Sequence, residues 1–524
     1  MRSRRRFLKD SAALLGAAPV IGRVAGTIQR ATEFDYVIVG AGASGCVLAE
    51  RLSAGGGNRV LVVEAGGPDT NPLIRMPGKW TSLLGTELDW QYLTEPEPAL
   101  GGRRVAWPRG KTYGGSTAIH AMAYVRGHRR CFEGWARDGG SAWGYDALLP
   151  IFKQIEDNSR AASAHLGSGG PLAVSDTTDP HEGHFAFLEA ARLRGFTADP
   201  AWDFNAPAPE GGAGFYQKNI RNGRRDSAAD AFLRPALARP NVEAWPNTAV
   251  RRVTFAGARA TGIECVRSGE VVRVRAARGV ILAAGVIESP KLLMLSGIGP
   301  ADQLRRHGVP VVADLRSVGA NLHDHPRVSV RWASRRTFPP STVSAGLLAF
   351  SSREVGPRPP DIQFYVGRGI DTPDETVTLT VAISQPQSRG SISLRSADPA
   401  DPPVIRANYF ADPSDLDAMV EAVELAHALA GTRPYEGLRG EPLAPNTPIR
   451  SPDEVRAHIL ATCETMFHPA GTCRMGSDAD SVVDPELRVR GVEGLSVVDG
   501  SVMPTVVNNQ TQAAALAIGA KGAV

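Results

Sequence analysis

The sequence predicts an α/β fold, with a dinucleotide-binding unit near its N-terminus and a second region of shorter, alternating strands. Three observations carry this reading. Tyr36-Val37-Ile38-Val39 is a short continuous apolar run, the pattern of a strand buried on both faces, and it enters Gly40-Ala41-Gly42-Ala43-Ser44-Gly45. A helix-like stretch over 46–52 leads to a second apolar run, Val60-Leu61-Val62-Val63, which ends at Glu64, nineteen residues beyond Gly45. Farther on, 361–364, 377–383 and 391–394 read as strands parted by Pro/Gly-rich turns, and 415–429 as an amphipathic helix.

Strand, glycines, helix, strand and acid in this order form a Rossmann-like nucleotide site. Gly40 permits the tight turn, Gly42 lets a pyrophosphate approach the backbone, and Gly45 lets helix and strand pack closely. Ala43 and Ser44 open the helix, whose N-terminus offers amide donors and a favourable dipole to a phosphate. Glu64 stands where ribose hydroxyls can be accepted, and its charge argues against a 2′-phosphate and hence against NADP.

Later segments extend the site. Gly114-Gly115-Ser116-Thr117 places two flexible residues and two hydroxyls in one loop, suited to close approach of a ring or pyrophosphate. Residues 280–284 read as another buried parallel strand. Ser289 reads as an N-cap with Pro290 at the first helical position, opening a helix through Leu295. Near the end, 495–498 reads as a strand leading to Asp499, and 513–520 as an Ala-rich helix.

Composition excludes several classes. The 524 residues are 43% apolar and 21% charged, enough for one large core or two moderate ones and too ordered in texture for a disordered chain. No apolar run reaches the roughly 18–20 residues of a membrane span. Five cysteines without a C-x-x-C pair argue against a disulfide scaffold or zinc ribbon, and leave open whether Cys463 and Cys473 pair. The formal charge of +4 is unevenly spread. Residues 1–30 hold seven basic residues and one acid; without them 51 basic residues face 53 acidic ones, a net −2, which predicts no nucleic-acid partner. Ser3-Arg4-Arg5-Arg6-Phe7-Leu8-Lys9 before a short, weakly apolar stretch resembles a twin-arginine export signal, so a periplasmic or secreted bacterial protein is expected, with no membrane span unless the signal stays uncleaved.

Three motifs then converge. The segment from Pro108 to His128, containing Arg109, the Gly114-Gly115-Ser116 loop and His120, closely resembles the first signature of the glucose–methanol–choline (GMC) family of FAD-dependent oxidoreductases. Gly285-Val286-Ile287-Glu288-Ser289-Pro290 through Pro300 resembles the second, and His468-Pro469-Ala470-Gly471-Thr472-Cys473 the active-site histidine segment. The resemblance runs in order from Phe34 to the C-terminus. It implies a Rossmann-like FAD-binding domain (33–155, 212–320 and 480–524) interleaved with an α+β substrate domain built on an antiparallel sheet (156–211 and 321–479). It also implies FAD contacts from Ala65, Arg109, His120, Ala121, Val250, Asp499, Gly500, Gln510, Thr511 and Gln512, with the last helix aimed at the flavin.

The implied reaction is oxidation of an alcohol to an aldehyde or ketone by hydride transfer to flavin N5. A histidine suits the base because its ordinary pKa lies near neutrality. The resemblance assigns that role to His468, with Gln510 at the partner position and Asn509 as the reserve one residue away. Gln can donate to or accept from the alcohol oxygen but cannot share base duty. His120 departs from the Asn of many members: its side chain either contacts flavin or substrate, or fills space while the backbone makes the contact. Where some relatives bond flavin covalently through a histidine, this chain has Ile119, so noncovalent FAD is expected. His323-Asp324-His325 has H-x-H spacing but no third ligand, so no metal is expected. Small Ala121 hints at room for a larger or aromatic alcohol. The electron acceptor is a quinone, cytochrome or oxygen, export favouring a respiratory carrier; a hydroxynitrile lyase with structural FAD is the alternative.

Overall fold

The computed structural model describes residues 32–207, 210–353, 358–367, 374–446 and 451–523. The expected export signal lies outside the described residues. Among those described, no helix is long and apolar enough to cross a membrane.

The first apolar run becomes the strand Thr32–Val39 and the second Val60–Val63, paired in parallel with the helix Ala43–Ser53 between them. They lie at the centre of a seven-stranded sheet. Val242–Trp245 flanks Val60–Val63, and the long strand Glu270–Leu282 flanks Thr32–Val39, all in parallel. Leu495–Val497 adds to the end of Glu270–Leu282 in parallel, and an antiparallel meander, Thr248–Ala256 with Arg259–Arg267, extends its other end. All four residues of Val60–Val63 are buried, as a strand covered on both faces requires.

A second seven-stranded sheet is antiparallel throughout. Its path is Arg439–Ala444, Pro326–Phe338, Asp374–Ile383, Ile362–Val366, Ala345–Ala349 and Gly212–Phe215, with Glu464–Thr465 beside Pro326–Phe338. Gly212–Phe215 opens a segment expected to go with the nucleotide-binding part, yet it pairs antiparallel with Ala345–Ala349. Val328, Val330, Val377 and Leu379 are buried on one face of this sheet, against which the helix Pro413–Ala430 packs; Asp412 caps that helix through Ser414 N–H. The third expected strand, Ser391–Ser393, instead forms a separate pair with Val404–Arg406.

One helix start differs from expectation. The helix runs Gly285–Leu295, so Pro290 lies inside it and Ser289 is not its cap. Proline there removes the N–H that would bond Val286 O, and the Thr472 hydroxyl donates to that carbonyl instead at 2.6 Å. The Ser289 hydroxyl turns to Asp499, donating at 2.6 Å. The C-terminal helix, Gln512–Lys521, packs on Ala43–Ser53, with Gly519 against the Ser44 backbone.

Candidate active site

A cavity of about 980 Å³ lies between the sheets. Its nucleotide end is a glycine cradle. Gly40 adopts φ 103°, and a Cβ there would stand 2.5 Å from Ala283 O; a Cβ on Gly115, at φ 52°, would stand 2.8 Å from the Gly42 Cα. The Gly42 turn and the Gly115 loop thus approach as only glycine allows. Gly40, Gly42, Ala43, Ser44, Glu64, Ala65, Gly115, Ser116 and Val250 line this end. Gly45 and Gly114 do not. Gly45 sits where a Cβ would meet Gly40 O at 1.9 Å, which is its packing role, and Gly114 shapes the loop at φ 85°.

Glu64 accepts from Ala41 N–H at 2.9 Å and Gly66 N–H at 2.8 Å; burial raises its pKa above the usual carboxylate value, and these two amides offset only part of that rise. Each carboxylate oxygen keeps a lone pair for a ribose hydroxyl. Asp499 is more heavily engaged, accepting from Gly285 N–H, Ser289 Oγ and Ser501 N–H, so it fixes the second signature against the last strand.

At the other end the wall carries His468, Arg109, His120, Ala121, Arg327, Tyr365, Phe467, Gln510, Thr511 and Gln512. Three segments distant in sequence hold His468. Asp324 Oδ1 accepts its backbone N–H at 2.8 Å, and Asp324 Oδ2 accepts from Tyr409 Oη at 2.6 Å. Its predecessor Phe467 takes φ 67°, an uncommon left-handed conformation for a bulky side chain. Arg109 Nη2 donates to Phe467 O at 2.7 Å, Phe467 N–H donates to Thr465 Oγ1 at 2.7 Å, and Arg327 stands 4.9 Å over its ring. A strained backbone pinned from all sides is how such a conformation persists.

The imidazole is oriented by a contact that the sequence reading did not anticipate. His468 Nδ1 lies 3.0 Å from His325 Nδ1, with the rings nearly perpendicular. Burial holds His325 neutral, its pKa pushed down to about 3, while the carbonyls of Val507 and Ser384 oppose that shift. Only one of the two Nδ1 atoms carries the hydrogen between them; with it on His468, His325 Nδ1 accepts. The bare nitrogen of His468 is then Nε2. Burial first, then the neighbouring His325, Arg109, His120 and Arg327, hold His468 well below the usual histidine range, so it is neutral and able to take a proton. The signal for His325 was the His323-Asp324-His325 run, in which Asp324 and His325 both serve His468. His323 pairs its backbone with Ala470 and does not line the cavity.

Gln510 lines the cavity with its Oε1 buried and unpartnered. Asn509 is fully buried, does not line the cavity, and turns Oδ1 back to Gln510 N–H at 3.0 Å, which favours Gln510 over its neighbour. Gln512 Nε2 is likewise buried without a partner. Orphaned polar atoms at one end of a cavity whose other end is a glycine cradle fit an extended dinucleotide carrying a hydrogen-bonding ring. Cys463 and Cys473 are free, buried thiols, their pKa values raised by burial.

A Rossmann-like sheet whose cavity runs from a buried acid at a strand end to a neutral, buried histidine beneath an antiparallel roof fits a flavin-dependent oxidoreductase. The chain belongs to the GMC oxidoreductase family: residues 34–327 match its N-terminal part and 386–519 its C-terminal part. It is 38% identical to an oxygen-dependent choline dehydrogenase of Brucella anthropi over 93% of this chain and 94% of that protein. It is also 38% identical to human mitochondrial choline dehydrogenase, over 94% and 89%. Among solved structures, pyridoxine 4-oxidase from Mesorbium loti superposes with a TM-score of 0.88 at 34% identity, over 93% of this chain and 98% of that one. The protein is an FAD-dependent oxidoreductase acting on CH–OH donors.

Proposed function

We propose that this chain oxidises an uncharged alcohol with a flat or aromatic body to the aldehyde or ketone, using His468 as base and Gln510 to orient the hydroxyl. The observation that carries the reading is the His325–His468 contact: a hydrogen on His468 Nδ1 leaves Nε2 of a neutral imidazole bare in the cavity that Gln510 also lines. A hydroxyl hydrogen-bonded to Nε2 gives up its proton there while the carbinol C–H bond breaks as hydride and C=O forms. Bound FAD supplies the two-electron acceptor for that hydride. The Gly40–Ser44 turn, Gly115, Ser116 and Glu64 would hold its pyrophosphate and ribose, and Thr511 and Gln512 its ring.

Noncovalent binding is supported by Ile119, which is buried among Ile74, Leu83, Leu88 and Ala118 and offers no nucleophile. Trp80, Tyr365 and Phe467 beside small Ala121 support a flat substrate. Arg109 and Arg327 stand at this end, and the carboxylates lining the cavity among the described residues, Glu64, Glu288 and Asp499, are engaged by protein donors. The two guanidinium charges repel a quaternary ammonium alcohol such as the choline named for two relatives, although aromatic side chains in the wall would attract one.

Anaerobic bleaching of the FAD-loaded protein by a panel of aryl, primary, secondary and quaternary ammonium alcohols tests this. His468→Ala should slow bleaching by about 10²–10⁴-fold while keeping the flavin spectrum; unchanged bleaching would remove His468 as base. Cyanide release from a cyanohydrin without bleaching would replace oxidation by lyase chemistry. We read the acceptor as a respiratory quinone or cytochrome, in keeping with the export-like N-terminus. Oxygen is the second reading, favoured by the oxidase and oxygen-dependent names of two relatives. Reoxidation by air against reoxidation by a quinone separates them. Export itself is tested by fusing residues 1–31 to a folded reporter and measuring its periplasmic fraction with and without the twin-arginine pair.

A further inference from the structure

Arg225 is a buried cation whose hydrogen bonds among the described residues go to carbonyls and a ring nitrogen, with Asp230 acting on it only through its charge. It donates to Ile74 O at 2.8 Å, Thr117 O at 3.2 Å and His120 O at 2.6 Å, and its Nη1 lies 3.0 Å from His120 Nδ1. Met122 N–H also reaches His120 Nδ1, at 3.1 Å. Both neighbours of Nδ1 can only donate, so Nδ1 presents its lone pair and the neutral ring carries its hydrogen on Nε2. Nε2 lies 2.9 Å from Gln512 Oε1 and donates to it. The reversed amide would set NH₂ against N–H. Gln512 Nε2 is therefore the free end, buried and unpartnered, on the first residue of the C-terminal helix and in the cavity wall. Burial, then the charge of Arg225, pushes the His120 pKa down to about 3, so the ring stays neutral; burial lowers Arg225 only to about 9, so it remains a cation.

We propose that Arg225 and His120 are positioning residues for the flavin, locking Gln512 so that its amide N–H₂ donates to the carbonyl-bearing pyrimidine edge of the ring. The inference rests on the FAD reading of this cavity and deepens it. Two-electron reduction leaves negative charge on that edge, where an oriented donor and a helix N-terminus both stabilise it without reorganising. His120 thereby has a task distinct from a covalent link or a space filler: it sets which end of an amide faces the cofactor.

Sulfite affinity and the two-electron midpoint potential of the FAD-loaded protein test this, since both report stabilisation of negative charge on the ring and neither uses an alcohol. Gln512→Ala should weaken sulfite binding about tenfold and lower the potential by about 30 mV, the equivalent of tenfold for two electrons. His120→Phe should give a shift of the same sign and size, and the double variant no more than either single one, because one donor is lost in each case. If His120→Phe does not load FAD, His120→Asn, too short to reach Gln512, takes its place. Sulfite affinity and potential within twofold and about 10 mV of the parent in Gln512→Ala would overturn the proposal, and additive effects in the double variant would remove His120 from it. Either result leaves alcohol oxidation standing if substrate still bleaches the flavin; failure of the parent protein to bind FAD would remove both.

Discussion

His325 and His468 face each other through Nδ1 at 3.0 Å, although 143 residues separate them in the chain. Only one of the two nitrogens can carry the shared hydrogen. Everything that makes His468 a base at its far side depends on His325 being the acceptor.

Replacing His325 with Phe keeps an aromatic ring but removes that acceptor. The His468 tautomer is then free to place its hydrogen on Nε2, where it blocks proton uptake. Flavin reduction by alcohol should fall by about one to three orders of magnitude with little change in apparent substrate affinity, because a wrong tautomer harms chemistry rather than binding. Stopped-flow reduction over a range of alcohol concentrations separates the two; a loss confined to affinity would point to a structural role.

The pH dependence follows from the direction of the His468 shift. A pKa lowered by burial and by neighbouring positive groups keeps the ring neutral at pH values where an ordinary histidine is half protonated. The base form is present above its lowered pKa and lost as pH falls through it. The acid limb of kcat/KM should therefore lie below pH 6.5, with reduction nearly flat from there through neutrality. An acid limb at or above 6.5 would contradict the burial of this site.

Gly115→Ala tests the cradle. Its Cβ would sit 2.8 Å from the Gly42 Cα at a backbone φ of 52°, forcing the two loops apart where neither has a flexible side chain to yield. The purified variant should carry little FAD, read from its visible absorbance per protein, and recover little on incubation with excess FAD. Normal flavin content would show that the loops part without penalty.

Thr472→Val tests the helix that contains Pro290. The hydroxyl that replaces the missing proline N–H at Val286 O would be gone, leaving a buried carbonyl unsatisfied. We expect a loss of about 1–3 kcal/mol, seen as a lower urea midpoint at unchanged slope. Thr472→Ser, which keeps the hydroxyl, should recover most of it.

The misread start of that helix shows where sequence reasoning loses hold. Ser-Pro is a good N-terminal signal because proline lacks an N–H and serine can cap, and the helix of Gly285–Leu295 nevertheless runs through it. The compensating donor comes from Thr472, 186 residues from Val286, and no local pattern announces it. Gly45 and Gly114 repeat the lesson at smaller scale. Both belong to the nucleotide motifs, yet one packs a helix and the other turns a loop, neither touching the cavity. Asn509 and Gln510 are adjacent and chemically alike; only the burial of one against the backbone separates them.

Taken by itself, the sequence determined the strand–helix–strand order around Gly40–Gly45 and Glu64 and the C-terminal helix, and singled out the His468 segment by its motif. These are short-range facts: hydrophobic period, glycine spacing and a local motif are written within a few residues. Only the tertiary structure brought His325 against His468, and Arg225 and Gln512 against His120. Hydrogen-bond polarity inside a buried site is set by which donors and acceptors meet, and those partners come from segments more than a hundred residues apart. Composition and spacing carry no record of such meetings until the chain is folded.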